Sequence, residues 1–259
     1  MQREGMVARH HSLVRRLCVP ALSLLVMGSL AVPARGQEAA ISIMASEIPP
    51  LVLEEPARRG IVLDMVVEAV RRAGLVPHIT FMPWKRVKET GSAAKDTLIV
   101  PLTRLPSREA DFTWIAPLLS VERVLVSLKH RVDTLDQARA LGVRIIVAAG
   151  SAPEQALKDA NYPLHLIISV PMGMNEPYML RMGRGDAWFT SGFQAQWRWQ
   201  GEGHTEPLIV GDVIQVDSIY LGCSLQCDPA YVKALAAAVE SMRLDGTLAA
   251  IPQLYVRTN

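Results

Sequence analysis

The sequence predicts an α/β fold in two lobes, each a mostly parallel sheet flanked by helices, with a ligand cleft between them. Three observations carry this expectation. Apolar strands and helices alternate as β-α-β-α-β through residues 41–100. The rhythm restarts after Lys129, where residues 143–148 form an almost unbroken apolar run, the pattern of a strand covered on both faces. No repeat, coiled coil, low-complexity tract or long linker separates the two units, so strands rather than a flexible joint connect them.

The elements follow in order. Residues 41–45 are a short apolar strand stopped by Pro49-Pro50. Val62, Met65, Val66, Ala69, Val70 and Ala73 recur at helical spacing, and Gly74 is placed to end the helix. A strand over 77–82, a short helix from Trp84 and a strand over 97–100 complete the first unit. In the second unit, Ser151 and Glu154 have the spacing of a capping box that opens a helix. A strand over 164–170, a short helix over 176–182 and a strand over 187–190 follow. Beyond an apolar strand at 218–223, Asp228-Pro229 starts a helix lined by Val232, Leu235, Ala236, Val239 and Met242. Asp245-Gly246-Thr247 breaks it and begins a last helix through Leu248, Ile251 and Leu254.

The first 36 residues have the order of an export signal. Arg3, Arg9, Arg15 and Arg16 precede an apolar run over 17–32, and Ala34-Arg35-Gly36 is a small-residue cleavage site. Cleavage near Gly36 removes five Arg and one Glu, so the 27 basic and 25 acidic side chains of the chain become 22 and 24. The mature net charge of about −2 leaves no basic stripe to neutralise phosphates, which excludes nucleic acid as a partner. Cys223 and Cys227 survive cleavage. In an oxidising compartment such a pair invites a disulfide, although Cys223 can equally pack as an apolar strand residue. His78, His130, His165 and His204 show no metal-ligand spacing, and the Met172, Met174, Met179 and Met182 group suits gap filling better than Cu(I). No phosphate loop or Gly-x-Ser-x-Gly elbow is present, and no cofactor or catalytic residue is expected.

Residues 82–117 run through an aromatic–basic cluster, an apolar strand at 96–100, the loop Leu105-Pro106-Ser107-Arg108 and an aromatic run over 112–117 that ends at Pro117. In order and spacing this resembles the periplasmic solute-binding proteins of the amino-acid-type (family 3) class, the substrate-binding components of ABC transporters. Those proteins carry a strand ending in a Thr-x-x-Arg loop, then a Phe-Ser/Thr-x-x-x-Pro segment. Gly60 and Asp64 also resemble the family's Gly-Phe-Asp-Val-Asp-Leu helix start, and residues 183–187 its Gly-x-x-Asp-Ala turn. Residues 244–247 with Ile251 and Tyr255 resemble its Asp-Gly-Thr helix pair. The resemblance covers essentially the whole mature chain. It implies a type II periplasmic-binding fold, with lobe 1 over 37–121, lobe 2 over 122–210, and a return to lobe 1 over 211–259. It also implies a hinge at the two crossings, a monomer in the periplasm, and delivery of a small solute to the membrane subunits of an ABC importer.

By the same resemblance, Arg108 matches the arginine that grips a ligand carboxylate, a role suited to a planar fork of donors. Trp84 matches an aromatic wall. Leu105 stands where the family has a threonine, and Ser191 where amino-acid binders have the acid that clamps the ligand's ammonium. A free α-amino group would lose its charge partner there, so a carboxylate or other small anion is expected rather than an ordinary amino acid. Thr103 and Arg104 beside the loop, Glu47 after the first strand and Ser151 at a helix start are further cleft candidates. Two other functions are carried. One is a dehydratase of cyclic carboxylates with Glu47 as its general acid. The other is a sensory module for a separate membrane receptor.

Overall fold

Elements β1 (Ala40–Ala45), α1 (Ile61–Arg72), β2 (Val76–Phe81), α2 (Trp84–Gly91) and β3 (Thr97–Thr103) open the fold in a computed structural model of the protein. The structure describes residues 39–173 and 175–256, so the expected leader and Met174 lie outside the described residues. β2 and β3 pair with β1 in parallel, as βαβ crossovers require. In β3, Leu98 and Val100 enter one core while Ile99 and Leu102 enter another. The alternation over Leu98, Ile99 and Val100 puts α1 and α2 on opposite faces of the sheet, and a register shift between Ile99 and Leu102 brings Leu102 to the face of Ile99.

The chain then runs through β4 (Thr113–Ser127), α3 (Leu135–Ala140), β5 (Ile145–Ala148), α4 (Ala152–Asp159), β6 (Ile167–Val170), α5 (Glu176–Arg181), β7 (Ala187–Thr190) and α6 (Gly192–Gly201). It returns along β8 (Ile209–Cys223) and ends in α7 (Pro229–Leu244) and α8 (Thr247–Gln253). The strands form one sheet in the order β2-β1-β3-β8-β4-β7-β5-β6. β4 and β8, 15 residues each, pair antiparallel from Thr113↔Cys223 to Ser127↔Ile209. This central ribbon joins two wings of parallel strands.

The ribbon extends well beyond the strand read at 218–223. Val213 and Val216 on it are exposed, and Arg123 and Asp217 interrupt its apolar pattern, so the sequence shows no clean alternation there. Residues 164–166 form a 3₁₀ turn ahead of β6 rather than extending the strand. α3 and α6 lack a clean apolar stripe: Ala138 alone is buried in α3, and α6 buries Gln194 and Arg198 beside Ala195 and Trp199. Cores on the two wings divide along the ribbon. On β4, Val121 packs with α1 and α7, whereas Val124 and Leu125 pack in the other wing. On β8, the division falls between Ile214 and Ile219. Gly211 is embedded in the second wing, where an added Cβ would lie 2.0 Å from the Val132 carbonyl oxygen. We therefore place the return crossing a few residues after the Gly211 expected from sequence. Arg123 Nε lies 2.6 Å from Asp217 Oδ2 at this level, both side chains buried between the cores.

Cys223 ends β8 and the chain turns at once, so Cys223 and Cys227 are bridged across a Cα separation of 6.0 Å. Among the described residues, no helix is long and apolar enough to cross a membrane.

The family-like segments at residues 60–64 and 244–255 meet in space. Gly60 has φ +92°, and a Cβ there would lie 2.6 Å from the Val52 Cα, so only glycine fits. Its N–H donates to the Tyr255 hydroxyl at 2.9 Å, and that hydroxyl donates to Asp64. Burial, then hydrogen bonding to Asp64, pushes the Tyr255 hydroxyl up to about 12, so it stays a donor. Tyr255→Phe should therefore cost about 1–3 kcal/mol in urea unfolding, because it leaves a buried donor and a carboxylate without their shared partner. A loss below about 0.5 kcal/mol would contradict this role.

Candidate functional site

Where the wings meet lies a partly open cavity of about 60 Å³. Its polar lining comes largely from the carboxyl ends of parallel strands: Thr103 and Arg108 after β3, Ser151 after β5 and Thr190 at the end of β7. Open α/β sheets gather ligand groups at this edge because crossover loops leave a crevice there.

Arg108 is the central group. Leu105 is extended and Pro106–Arg108 form a 3₁₀ turn, closed by the Arg108 N–H on the Leu105 carbonyl at 2.9 Å. The turn carries the side chain inward, leaving Arg108 only 8% exposed. Nη1 donates to the Thr103 carbonyl at 3.1 Å and Nη2 to the Gly150 carbonyl at 2.8 Å. The guanidinium also lies over the Trp84 ring, 5.6 Å from its centroid. Among the described residues no carboxylate forms an ion pair with it. Burial lowers its pKa from the ordinary guanidinium value, opposed only at a distance by Asp217 and Asp111. It remains protonated. The site thus contains a buried cation whose polar contacts are neutral carbonyls.

Trp84 is buried, packed on Val87, Ile99, Leu102 and Phe112, and it also lines the cavity. Its Nε1 donates to the same Gly150 carbonyl at 3.1 Å. Gly150 has φ +71°, which turns its carbonyl towards the first wing while Ser151 starts α4. The Ser151 hydroxyl accepts from the Glu154 N–H at 3.2 Å, and Glu154 Oε2 accepts from the Gly150 N–H at 2.9 Å. Two further contacts close the wings together. Gln194 Nε2 donates to the Pro49 carbonyl at 3.2 Å, and a Cβ on Gly173 would lie 2.5 Å from the Glu47 carbonyl oxygen.

Thr103, Arg108, Trp84 and Ser151 are brought together at the cavity; three other sequence candidates are not. Glu47 is exposed, its carboxylate accepting from the Glu54 N–H at 3.3 Å. Arg104 pairs with Glu109 and sits over Trp114 and Tyr220, which hold it outside the cleft. Ser191 points away from Thr190, as strand alternation demands, and its hydroxyl caps α6 by accepting from the Gln194 N–H at 3.1 Å. Met172 lines the cavity, Met179 packs in a core and Met182 is exposed, so these three do not share one environment.

Sequence reading missed four charged groups of the cleft. Glu176, at the start of α5, lies 2.6 Å from Arg198 on α6, both nearly fully buried. Burial pushes the Glu176 carboxyl up, against the pull of Arg198. Arg123 lines the cavity with its charge taken by Asp217. A signal existed for Arg123, a basic residue abutting the apolar run at 124–126. None marked Arg198, which looks like a solvated helix residue until α6 is packed. Both acids are thus tied to arginines, and Arg108 is left as the cation without one.

Removing one partner of a buried pair strands the other charge. Glu176→Gln should therefore lose about 3 kcal/mol in urea unfolding, and Glu176→Gln with Arg198→Met should recover most of it. A neutral Glu176→Gln would mean that this carboxylate is not committed to Arg198.

No family model and no curated protein matches the chain. Solved structures do. A substrate-binding protein of an ABC uptake transporter from Streptococcus pneumoniae, with bound histidine, superposes with a TM-score of 0.71 at 18% identity, over 83% of this chain and 92% of that one. The GluR0 ligand-binding core from Nostoc punctiforme, in complex with L-glutamate, gives 0.69 at 16% identity, over 83% and 98%. A histidine kinase sensor domain similar to periplasmic binding proteins gives 0.74 at 12% identity, over 84% and 96%. At these identities the likeness is one of fold: the chain has the α/β fold of the type II periplasmic-binding proteins.

Proposed function

We propose that this protein captures a small organic anion, a carboxylate, between its two lobes and presents it to an ABC importer. The observation that carries the reading is Arg108: a buried guanidinium facing the cleft with carbonyls but no carboxylate for partners. An anion supplies what is missing, through charge-assisted bonds in a site of low polarity. Trp84 forms the apolar wall, and the Thr103, Ser151 and Thr190 positions offer polar groups around it. Two of the similar proteins hold glutamate and histidine, and others hold glutamine or arginine, each with a carboxylate and an ammonium. This cleft favours the carboxylate half, since Glu176 and Asp217 are both neutralised by arginines and Ser191 faces elsewhere.

Capture works by closure. Opening would separate Gly150 from Trp84 and Arg108, with bending at β4 and β8, where only two strands cross between the cores. The likeness to a kinase sensor domain favours a second reading, in which the same closure is read by a separate receptor. A dehydratase has less support, because its general-acid candidate Glu47 does not line the cavity.

A thermal-shift panel of organic acids, amino acids, polyamines and sugars tests the reading. Acids should raise the melting temperature, since a ligand that binds only the native state stabilises it by mass action. Arg108→Gln should weaken the best acid by tenfold or more, given about 1.5–3 kcal/mol for hydrogen bonds to a charged group. Stabilisation by sugars or polyamines alone, or an Arg108→Gln variant that binds the acid as wild type does, would refute it.

A further inference from the structure

Arg108 has a cationic neighbour that the reading above leaves out. Lys88 lies one helical turn after Trp84 on α2, so its side chain runs along the same face as the indole. Its ammonium ends beside Gly150, where an added Cβ would lie 3.3 Å from Nζ. The Gly150 carbonyl already accepts from Arg108 at 2.8 Å, so two cations converge on one residue of the facing lobe. Among the described residues, neither has a carboxylate as ion-pair partner. Glu154, the acid on the facing helix, engages Lys158 at 3.1 Å, the Gly150 N–H at 2.9 Å and the Ser169 hydroxyl. Lys85 lies 3.9 Å from Glu89.

The two cations line a second pocket, about 600 Å³, that adjoins the cleft; Trp84, Arg108 and Ser151 line both spaces. Asp111, the remaining acid of this pocket, is exposed and acts on Arg108 only through space. Burial, then the charge of Arg108, lowers the Lys88 pKa. Glu154 and Glu89 act on Lys88, as Asp217 and Asp111 act on Arg108, only through space, so the repulsion between the two cations is partly offset, and an anion between them removes the rest.

We propose that Lys88 and Arg108 form an acid-binding subsite in this outer pocket, so that the captured solute is a dianion. This rests on the anion reading above and narrows it. A single doubly charged group can bridge the two cations. Alternatively, a dicarboxylate places one carboxylate in the inner cavity and the other between Lys88 and Arg108. Both share the same chemistry, two negative charges matched to two positive ones.

Calorimetric titration at pH 7.5 with succinate, glutarate and sulfate, against butyrate and valerate, separates these cases. At least one dianion should bind about tenfold or more tightly than the monocarboxylates. Lys88→Gln should remove that preference and leave monocarboxylate affinity within about twofold, while Lys88→Arg should keep it. Preference for succinate or glutarate assigns two acid groups, and preference for sulfate assigns one. Without ligand, Lys88→Gln should melt no lower than wild type, because it removes a repulsion. If monocarboxylates bind through Arg108 as tightly as dianions, or if Lys88→Gln keeps the preference, this inference fails and the anion reading stands. If no anion binds, both fail.

Discussion

A buried guanidinium that, among the described residues, forms no ion pair is the constraint around which this molecule is arranged. Removing a charge from water costs several kcal/mol even after relaxation, and two carbonyl hydrogen bonds offset only part of that. Arg108 tolerates this because its loop leaves little choice: the 3₁₀ turn after β3 directs the side chain inward, over Trp84 and onto Thr103 and Gly150. One of its two carbonyl partners belongs to the opposite lobe. On the proposed reading, the group that binds the anion also bonds across the cleft, so binding and closure would be coupled through the same atoms.

The surrounding framework makes that placement repeatable. Gly150 must adopt a left-handed backbone to present its carbonyl, and Gly173 must lack a side chain to let the Glu47 backbone approach. Behind them, Arg123–Asp217 and Glu176–Arg198 neutralise the other charges that reach the cavity. Such pairs add little stability compared with apolar replacements. Their effect here is selective: they leave the cleft with one uncommitted positive charge, and the neighbouring pocket with a second at Lys88.

Much of the fold is legible in the sequence because its signals are local. The stripe of α1, the apolar run of β5 and the Asp228-Pro229 cap each depend on residues a few positions apart. The long central ribbon is not local. Its pairing joins Thr113 to Cys223, and its exposed valines and buried ion pair break the alternation that marks a strand. The site divides in the same way. Arg108 and Trp84 stand out through the family resemblance of their segments, and Ser151 through its cap spacing. Glu47, Arg104 and Ser191 do not reach the cavity: Glu47 is held by Glu54, Arg104 by Glu109 with Trp114, and Ser191, itself buried, by the start of α6. The partners that hold them are near in the chain, but which way each side chain faces is set by the folded geometry of those turns rather than by residue type. The family-like glycines and acids at residues 60–64 and 183–187 prove to be scaffolding: they bond Tyr255 and Arg144 rather than line the cavity.

The most direct measurement is a crystal structure of the protein with the acid that stabilises it most. The account requires an acid oxygen of that solute within hydrogen-bond distance of the Arg108 guanidinium, about 2.7–3.2 Å, in the space between Trp84 and the second lobe. A solute bound elsewhere, with Arg108 still satisfied by the Thr103 and Gly150 carbonyls alone, would contradict it.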